Sequence, residues 1–142
     1  KPEANAETLR NGWLHTGDMA YMDQDGYFFI VDRKKEMIIR GGENIYPKEI
    51  DNLLFSHPKI LEAAVVGVPD DIMGEEVKAF VVVKAQEKLT EEEVRNFCRR
   101  NLASFKVPRY VEFIEELPKN IIGKTLKKHL KQEARPKNIS GA

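Results

Sequence analysis

The sequence predicts an α+β fold: a small mixed β-sheet with helices packed on it, and a β-hairpin ahead of it. Three observations carry this. Apolar runs of strand length and segments of helical spacing follow one another as strand, strand, helix, strand, strand, helix, strand, helix. Two of the runs, Leu61 to Val68 and Val77 to Val83, are rich in valine, as strands are. The glycine pattern of a doubly wound nucleotide fold is missing, since no Gly-x-Gly-x-x-Gly follows a strand. Gly123-Lys124-Thr125 imitates the end of a P-loop, but Pro118 stands where that motif needs its first glycine.

Each element has its own signal. Asp23-Gln24-Asp25-Gly26 clusters turn formers between Ala20-Tyr21-Met22 and Tyr27-Phe28-Phe29-Ile30-Val31, which predicts a hairpin. Asp32-Arg33-Lys34-Lys35-Glu36 is too charged to continue a buried strand, so the chain surfaces there, and a domain boundary is expected between Arg33 and Glu36. Met37 to Arg40 is a second short apolar run, closed by Gly41-Gly42-Glu43-Asn44, a turn in which paired glycines permit conformations that side chains block. Pro47 suits the first turn of a helix with Ile50, Leu53 and Leu54 on one face, ended by His57-Pro58. Pro69-Asp70-Asp71 and Gly74 separate the valine-rich strands. Thr90 with Glu93 makes a capping box, and Val94, Phe97, Cys98 and Leu102 continue at helical spacing, which makes Cys98 a core residue. Arg109 to Ile114 reads as a strand, Lys119 to Lys124 as a loop, Leu126 and Leu130 as one face of a last helix, and Asn138 to Ala142 as a frayed end.

Composition narrows the function. The chain has 142 residues, 42% of them apolar, which suffices for one packed core and excludes a disordered protein. Its 23 basic side chains balance 23 acidic ones, which argues against a dedicated polyanion binder. No apolar run approaches the roughly 20 residues a spanning helix requires. With Cys98 the sole cysteine, a disulfide framework and a multi-thiolate zinc site are ruled out, and His15, His57 and His129 lack partners at ligand spacing. Ser56 and Ser104 lack the glycines of a nucleophile elbow. The amino end has neither a methionine nor an apolar signal core and reads as a fragment of a larger protein.

Four places can carry chemistry. Asp18, in Thr16-Gly17-Asp18, can accept hydrogen bonds from a vicinal diol, or can simply end a turn. Arg33 at a strand end can reach the same sugar or a phosphate, or remain a solvated charge. Gly41-Gly42 can offer main-chain amides to a narrow, extended ligand, or be a plain turn. Lys124 follows a glycine at the start of a helix, where a mobile ammonium can meet a phosphate or carboxylate. Its plainer reading is one more lysine in a basic tail, for Lys119, Lys124, Lys127, Lys128, Lys131, Arg135 and Lys137 face only Glu133 there. Such a tail can bind RNA, though aromatics for base stacking are not interleaved with it.

The order of these motifs is more specific than any one of them. Gly12-Trp13-Leu14-His15-Thr16-Gly17-Asp18, Asp25-Gly26-Tyr27, Asp32-Arg33-Lys34-Lys35-Glu36-Met37-Ile38, Gly41-Gly42-Glu43-Asn44-Ile45-Tyr46-Pro47, Phe105-Lys106-Val107-Pro108, Leu117-Pro118-Lys119 and Gly123-Lys124 follow one another along the chain. Together they resemble the carboxyl-terminal part of the acyl-CoA synthetases, in the adenylate-forming superfamily that includes luciferases and peptide adenylation domains. The nearest likeness is to fatty-acid-CoA ligases and coumarate-CoA-ligase-like enzymes.

The resemblance implies a two-step reaction with ATP, Mg2+ and CoA: a carboxylic acid, here a fatty acid, becomes acyl-AMP, and CoA then displaces AMP. It implies that residues 1–33 end a large amino-terminal domain, which carries the acyl pocket and binds most of the Mg2+, and that residues 34–142 form a small mobile domain. Asp18 is expected at the ribose of ATP with Arg33 beside it, Lys35 at the hinge, Lys124 in the adenylating site, and Gly41 and Gly42 along the pantetheine channel. The fragment by itself is expected to be inactive, and the whole enzyme cytoplasmic. Asn120 stands where many relatives have threonine, Ile121-Ile122 is more apolar than usual, and Ile39 replaces a lysine of luciferase-like members, which argues against that branch. The alternatives are an amino-acid-activating domain serving a carrier protein, and a non-catalytic interaction module using its basic tail on RNA or protein.

Overall fold

A computed structural model describes residues 1–134. Arg135, Lys137 and the end expected to fray, Asn138 to Ala142, lie outside the described residues. The chain opens with α1 (Pro2–Thr8) and a tiny hairpin of β1 (Leu9–Arg10) and β2 (Trp13–Leu14). None of these buries a residue, so no apolar periodicity announces them.

The expected hairpin follows as β3 (Asp18–Met22) and β4 (Phe28–Arg33), antiparallel and longer at its open end than the apolar runs. Asp23 shapes its turn, one carboxylate oxygen accepting from the N–H groups of Asp25 and Tyr27, each at 2.9 Å. The rings of Tyr21 and Phe29 stack across it at 5.1 Å. The charged segment after β4 is a turn, with the Glu36 N–H donating to the Arg33 carbonyl at 3.0 Å.

The main sheet has five strands: β5 (Ile38–Arg40), β6 (Glu43–Ile45), β7 (Ile60–Asp70), β8 (Gly74–Val83) and β9 (Tyr110–Phe113). Helix α2 (Pro47–Phe55) precedes β7, and α3 (Glu91–Asn101) with a 3-10 turn at Ser104–Lys106 leads to β9. Helix α4 (Lys127–Glu133) comes last. The strand order β6-β5-β8-β7 leaves β7 at one edge, while on the other edge of β8 Arg40 pairs with Gly74 and β9 runs parallel from Lys78 to Val81. The sheet is mixed, as expected.

Two boundaries need correcting. Glu43 and Asn44, read with the glycines as a turn, pair with β5 in β6, and Gly74 and Pro69-Asp70, read as separators, belong to β8 and β7. A proline is tolerated there because β7 is an edge strand. Asp70 also makes the turn from inside the strand, its carboxylate accepting from the N–H groups of Ile72 at 3.0 Å and Met73 at 2.8 Å.

Both faces of the sheet are covered, which explains why the strands read as continuous valine runs rather than as clean alternation. Val65, Val77, Ala79 and Val81 pack with Ile50 and Leu54 of α2 and Val94 and Cys98 of α3. Ala64, Val66, Val68, Phe80 and Val82 point the other way, against Leu117 and Leu130. Each large apolar side chain so buried contributes about 1.5–3 kcal/mol. Asp51 joins α2 to β7 and α4: it accepts from the Val65 N–H at 2.7 Å and from Lys127 Nζ at 2.6 Å. Burial holds its carboxyl above the usual range, and the Lys127 charge opposes that. No helix among the described residues is long and apolar enough to cross a membrane.

Candidate functional site

The hairpin register decides where the first two candidates stand. Asp18 and Arg33 are cross-strand partners at its open end, and Arg33 Nη1 lies 3.3 Å from Asp18 Oδ1. Asp18 is three-quarters shielded from solvent. One oxygen faces the guanidinium, and the second can accept from a diol, with Arg33 next to it for an adjacent oxygen.

Lys35 is exposed in the turn after β4, the only connection by chain between the hairpin and the main sheet. A contact also crosses that turn: Asp32 Oδ2 accepts from the Lys48 N–H at the start of α2, at 2.9 Å. Helix α2 lacks a capping side chain of its own, so a carboxylate from the hairpin satisfies one of its free N–H groups.

Gly41 and Gly42 form the two-residue loop between β5 and β6, with φ of +56° and +86°. Positive φ at both positions is what the tight hairpin turn requires, and only glycine takes it without strain. The Gly41 N–H donates to the Met73 carbonyl at 2.8 Å, which ties this turn to the β7–β8 turn.

Lys124 sits on a closed loop between paired Lys119 and Thr125. The Asn120 side chain accepts from the N–H groups of Ile122 at 3.1 Å and Lys124 at 2.9 Å, so asparagine supplies the loop with its acceptor. The Lys119 ammonium is taken up by Glu62, and that of Lys127 by Asp51. Lys124 is exposed, and its ammonium has no ion pair among the described residues. The nearest lysine on each side of it in the chain, Lys119 and Lys127, is paired and it is not.

The structure thus joins Asp18 to Arg33 but gives Lys124, Lys35 and the Gly41–Gly42 turn separate places. No hydrogen bond or ion pair links the Lys124 loop to Asp18 or to the glycines among the described residues. Beside the glycine turn lies a feature the sequence reading missed: an open cleft of about 440 Å³ lined by Arg40, Arg95, Arg99 and Arg109. Arg95 and Arg99 share Glu92, at 3.4 and 2.6 Å. Arg40 and Arg109 share Glu76, at 2.7 and 3.3 Å. The hydrogen bond to Glu76 raises the Arg40 pKa further. Only the four-residue step from Arg95 to Arg99 is visible in the sequence, since the four arginines come from β5, α3 and the approach to β9.

Residues 49–124 match the AMP-binding enzyme C-terminal domain. The chain belongs to that family. It is 53% identical over 137 residues to a long-chain-fatty-acid–CoA ligase of Escherichia coli O6:H1, covering 96% of this chain and 24% of the relative. The ligase of the same description from Bacillus subtilis is 53% identical, with 94% and 24% covered. A crotonobetaine/carnitine–CoA ligase of Salmonella arizonae is 51% identical, with 92% and 26% covered. Among solved structures, ATP-bound MatB from Rhodopseudomonas palustris superposes with a TM-score of 0.85 at 38% identity, over 93% of this chain and 26% of that one. The o-succinylbenzoate CoA synthetase MenE of Bacillus subtilis, in complex with the intermediate OSB-AMP, gives 0.85 at 37%, over 92% and 27%. The chain spans about a quarter of the length of the relatives it matches.

Proposed function

We propose that this chain is the carboxyl-terminal portion of an ATP-dependent acyl-CoA ligase, which activates a carboxylic acid as acyl-AMP and transfers the acyl group to CoA. A fatty acid is the substrate we favour, because the long-chain ligases of three genera are among its most similar relatives. The observation that carries the reading is Lys124, an unpaired ammonium on a hydrogen-bonded loop whose flanking lysines are neutralised. A fixed loop with one free positive charge suits a reaction in which negative charge gathers between a carboxylate and the α-phosphate of ATP.

In the first step Asp18 accepts from the ribose hydroxyls, Arg33 holds Asp18 in place, and Lys124 offsets the charge at the α-phosphate. Mg2+ arrives with the phosphates of ATP. In this reading the large amino-terminal domain would hold the ion; no cluster of three metal-ligating side chains occurs among the described residues. In the second step the small domain, residues 34–142, rotates about Lys35; Lys124 withdraws, and the Gly41–Gly42 turn lines the path of the pantetheine arm. The cleft next to Arg40 then receives the phosphates at the other end of CoA, for which arginine's forked donors are suited.

Residues 1–33 close the large domain in this reading. In support, Trp13, Tyr27 and Phe28 are 75%, 69% and 74% exposed, and Leu14, Met22 and Ile30 are exposed as well. So dense an apolar surface marks a face made to be covered. The ligase works in the cytoplasm, where ATP and CoA are made available to it, and the fragment alone turns over nothing.

The test uses the full-length ligase. Lys124→Ala lowers acyl-AMP formation, followed by ATP–pyrophosphate exchange, by about 10²–10³-fold, the loss seen when one charge-stabilising donor is removed. Conversion of supplied acyl-AMP to thioester stays within about twofold. Equal loss of both half-reactions overturns the reading.

A further inference from the structure

Among the described residues two charged side chains are buried, Asp32 and Glu76, and Glu76 is fully inaccessible to water. It stands between the two pairings on one edge of β8, after Arg40 has met Gly74 and before β9 begins at Lys78. Each incoming segment brings it an arginine. Arg40 Nε lies 2.7 Å from one carboxylate oxygen and Arg109 Nη1 3.3 Å from the other.

Packing alone does not account for a carboxylate here. Removing it from water costs several kcal/mol, and a well-packed apolar residue commonly stabilises as much as or more than a buried ion pair. What an apolar residue cannot do is hold two guanidinium groups together. Arginine has five N–H donors, so after bonding to Glu76 each keeps several free. Their side chains are 25% and 57% exposed and both line the cleft. The remaining donors are thus available to a ligand there.

We infer that Glu76 is a positioning residue for CoA, setting Arg40 and Arg109 as a pair that grips the phosphates of the incoming thiol donor. The inference rests on the ligase reading above. Glu76 touches no ligand; it acts through the two arginines.

The experiment measures thioester formation from supplied acyl-AMP by the full-length ligase, with CoA and with pantetheine, which has the thiol arm and lacks the phosphates. Glu76→Gln raises KM for CoA about tenfold, the loss of roughly one charge-assisted hydrogen bond. The CoA kcat stays close to wild type, and so do both constants for pantetheine. Glu76→Asp restores part of the CoA affinity. Adding Glu76→Gln to the double variant Arg40→Gln/Arg109→Gln raises KM for CoA no further than the two arginine changes do by themselves. An unchanged KM for CoA, or equal losses with CoA and pantetheine, overturns the inference. If the Glu76 variants fail to fold, Arg109→Gln at its exposed site decides: a rise for CoA alone supports the pairing, and no rise overturns it. The outcomes separate the levels of the proposal. A wild-type protein that forms no thioester sinks the ligase reading, and one with equal KM for both acceptors sinks the cleft. A wild type that discriminates, with Glu76→Gln matching it, removes Glu76 alone.

Discussion

Cys98 and His57 show how single side chains set the pH range of this fold. Cys98 is fully buried in α3, and burial pushes its thiol from 9.0 up to about 11. A thiol whose folded pKa is raised binds its proton longer in the folded state, so its contribution is complete below pH 9.0 and is lost as pH climbs toward 11. His57 lies edge-on to Phe97 at 4.7 Å, and burial, then the charge of Lys59, lowers its pKa below 6.5. The sign is opposite: the neutral ring is favoured by folding, and that stability is lost as pH falls below 6.5 through the lowered folded value. Stability against urea should therefore peak between these limits. Cys98→Ala should flatten the alkaline decline, and His57→Gln the acid one. Cys98 should also resist thiol reagents at pH 8 until the protein is unfolded.

At the scale of elements, α3 and α4 rest on different supports. Helix α3 has both halves of a capping box, Thr90 accepting from the Glu93 N–H and Glu93 accepting from Thr90. Helix α4 has no capping side chain and depends on Leu130 against the second face of the sheet. Thr90→Ala should cost about 1 kcal/mol and Leu130→Ala about 2–5 kcal/mol in urea denaturation. The larger loss should appear in hydrogen exchange at the α4 amides. These two helices and the Asp23 hairpin were legible because capping residues, turn formers and helical spacing are local signals. Helix α1, β1 and β2 were not, since an element with no buried face leaves no periodicity. The arginine cleft was hidden for another reason: tertiary folding gathers Arg40, Arg95, Arg99 and Arg109, and their spacing in the chain does not. Asp18 and Arg33 lie between these cases, each a visible candidate whose pairing depends on a register that the apolar runs stop short of.

For the whole molecule, the layered sheet has two differently equipped faces. One packs on α2 and α3, whose Arg95 and Arg99 line the arginine cleft, and the other carries Leu117 and, in α4, Leu130. The rotation proposed above would bring first one and then the other to the large domain. The Asp32 carboxylate on the α2 N-terminus opposes the proposed rotation about Lys35, since a cap of this kind is worth roughly 0.5–2 kcal/mol. Asp32→Ala should loosen the hairpin from α2 and raise the exchange rate of the Lys48 amide.

The parallel pairing of β9 with β8 also gives the fold an order of assembly. Strands β5 to β8 are joined by short turns or by α2, whereas β9 reaches β8 only after α3 has been made and folded back. Closing that longer loop is slower than zipping the β7–β8 hairpin. In a refolding experiment with pulsed hydrogen exchange, the amides of Val66 and Val68 should be protected before those of Val111 to Phe113; simultaneous protection would refute this order. Until β9 docks, Glu76 has Arg40 but not Arg109, and one of its oxygens waits for a partner still upstream of a half-built strand. A chain emerging from the ribosome thus holds the proposed anion grip unfinished until Arg109 and β9 have been synthesised.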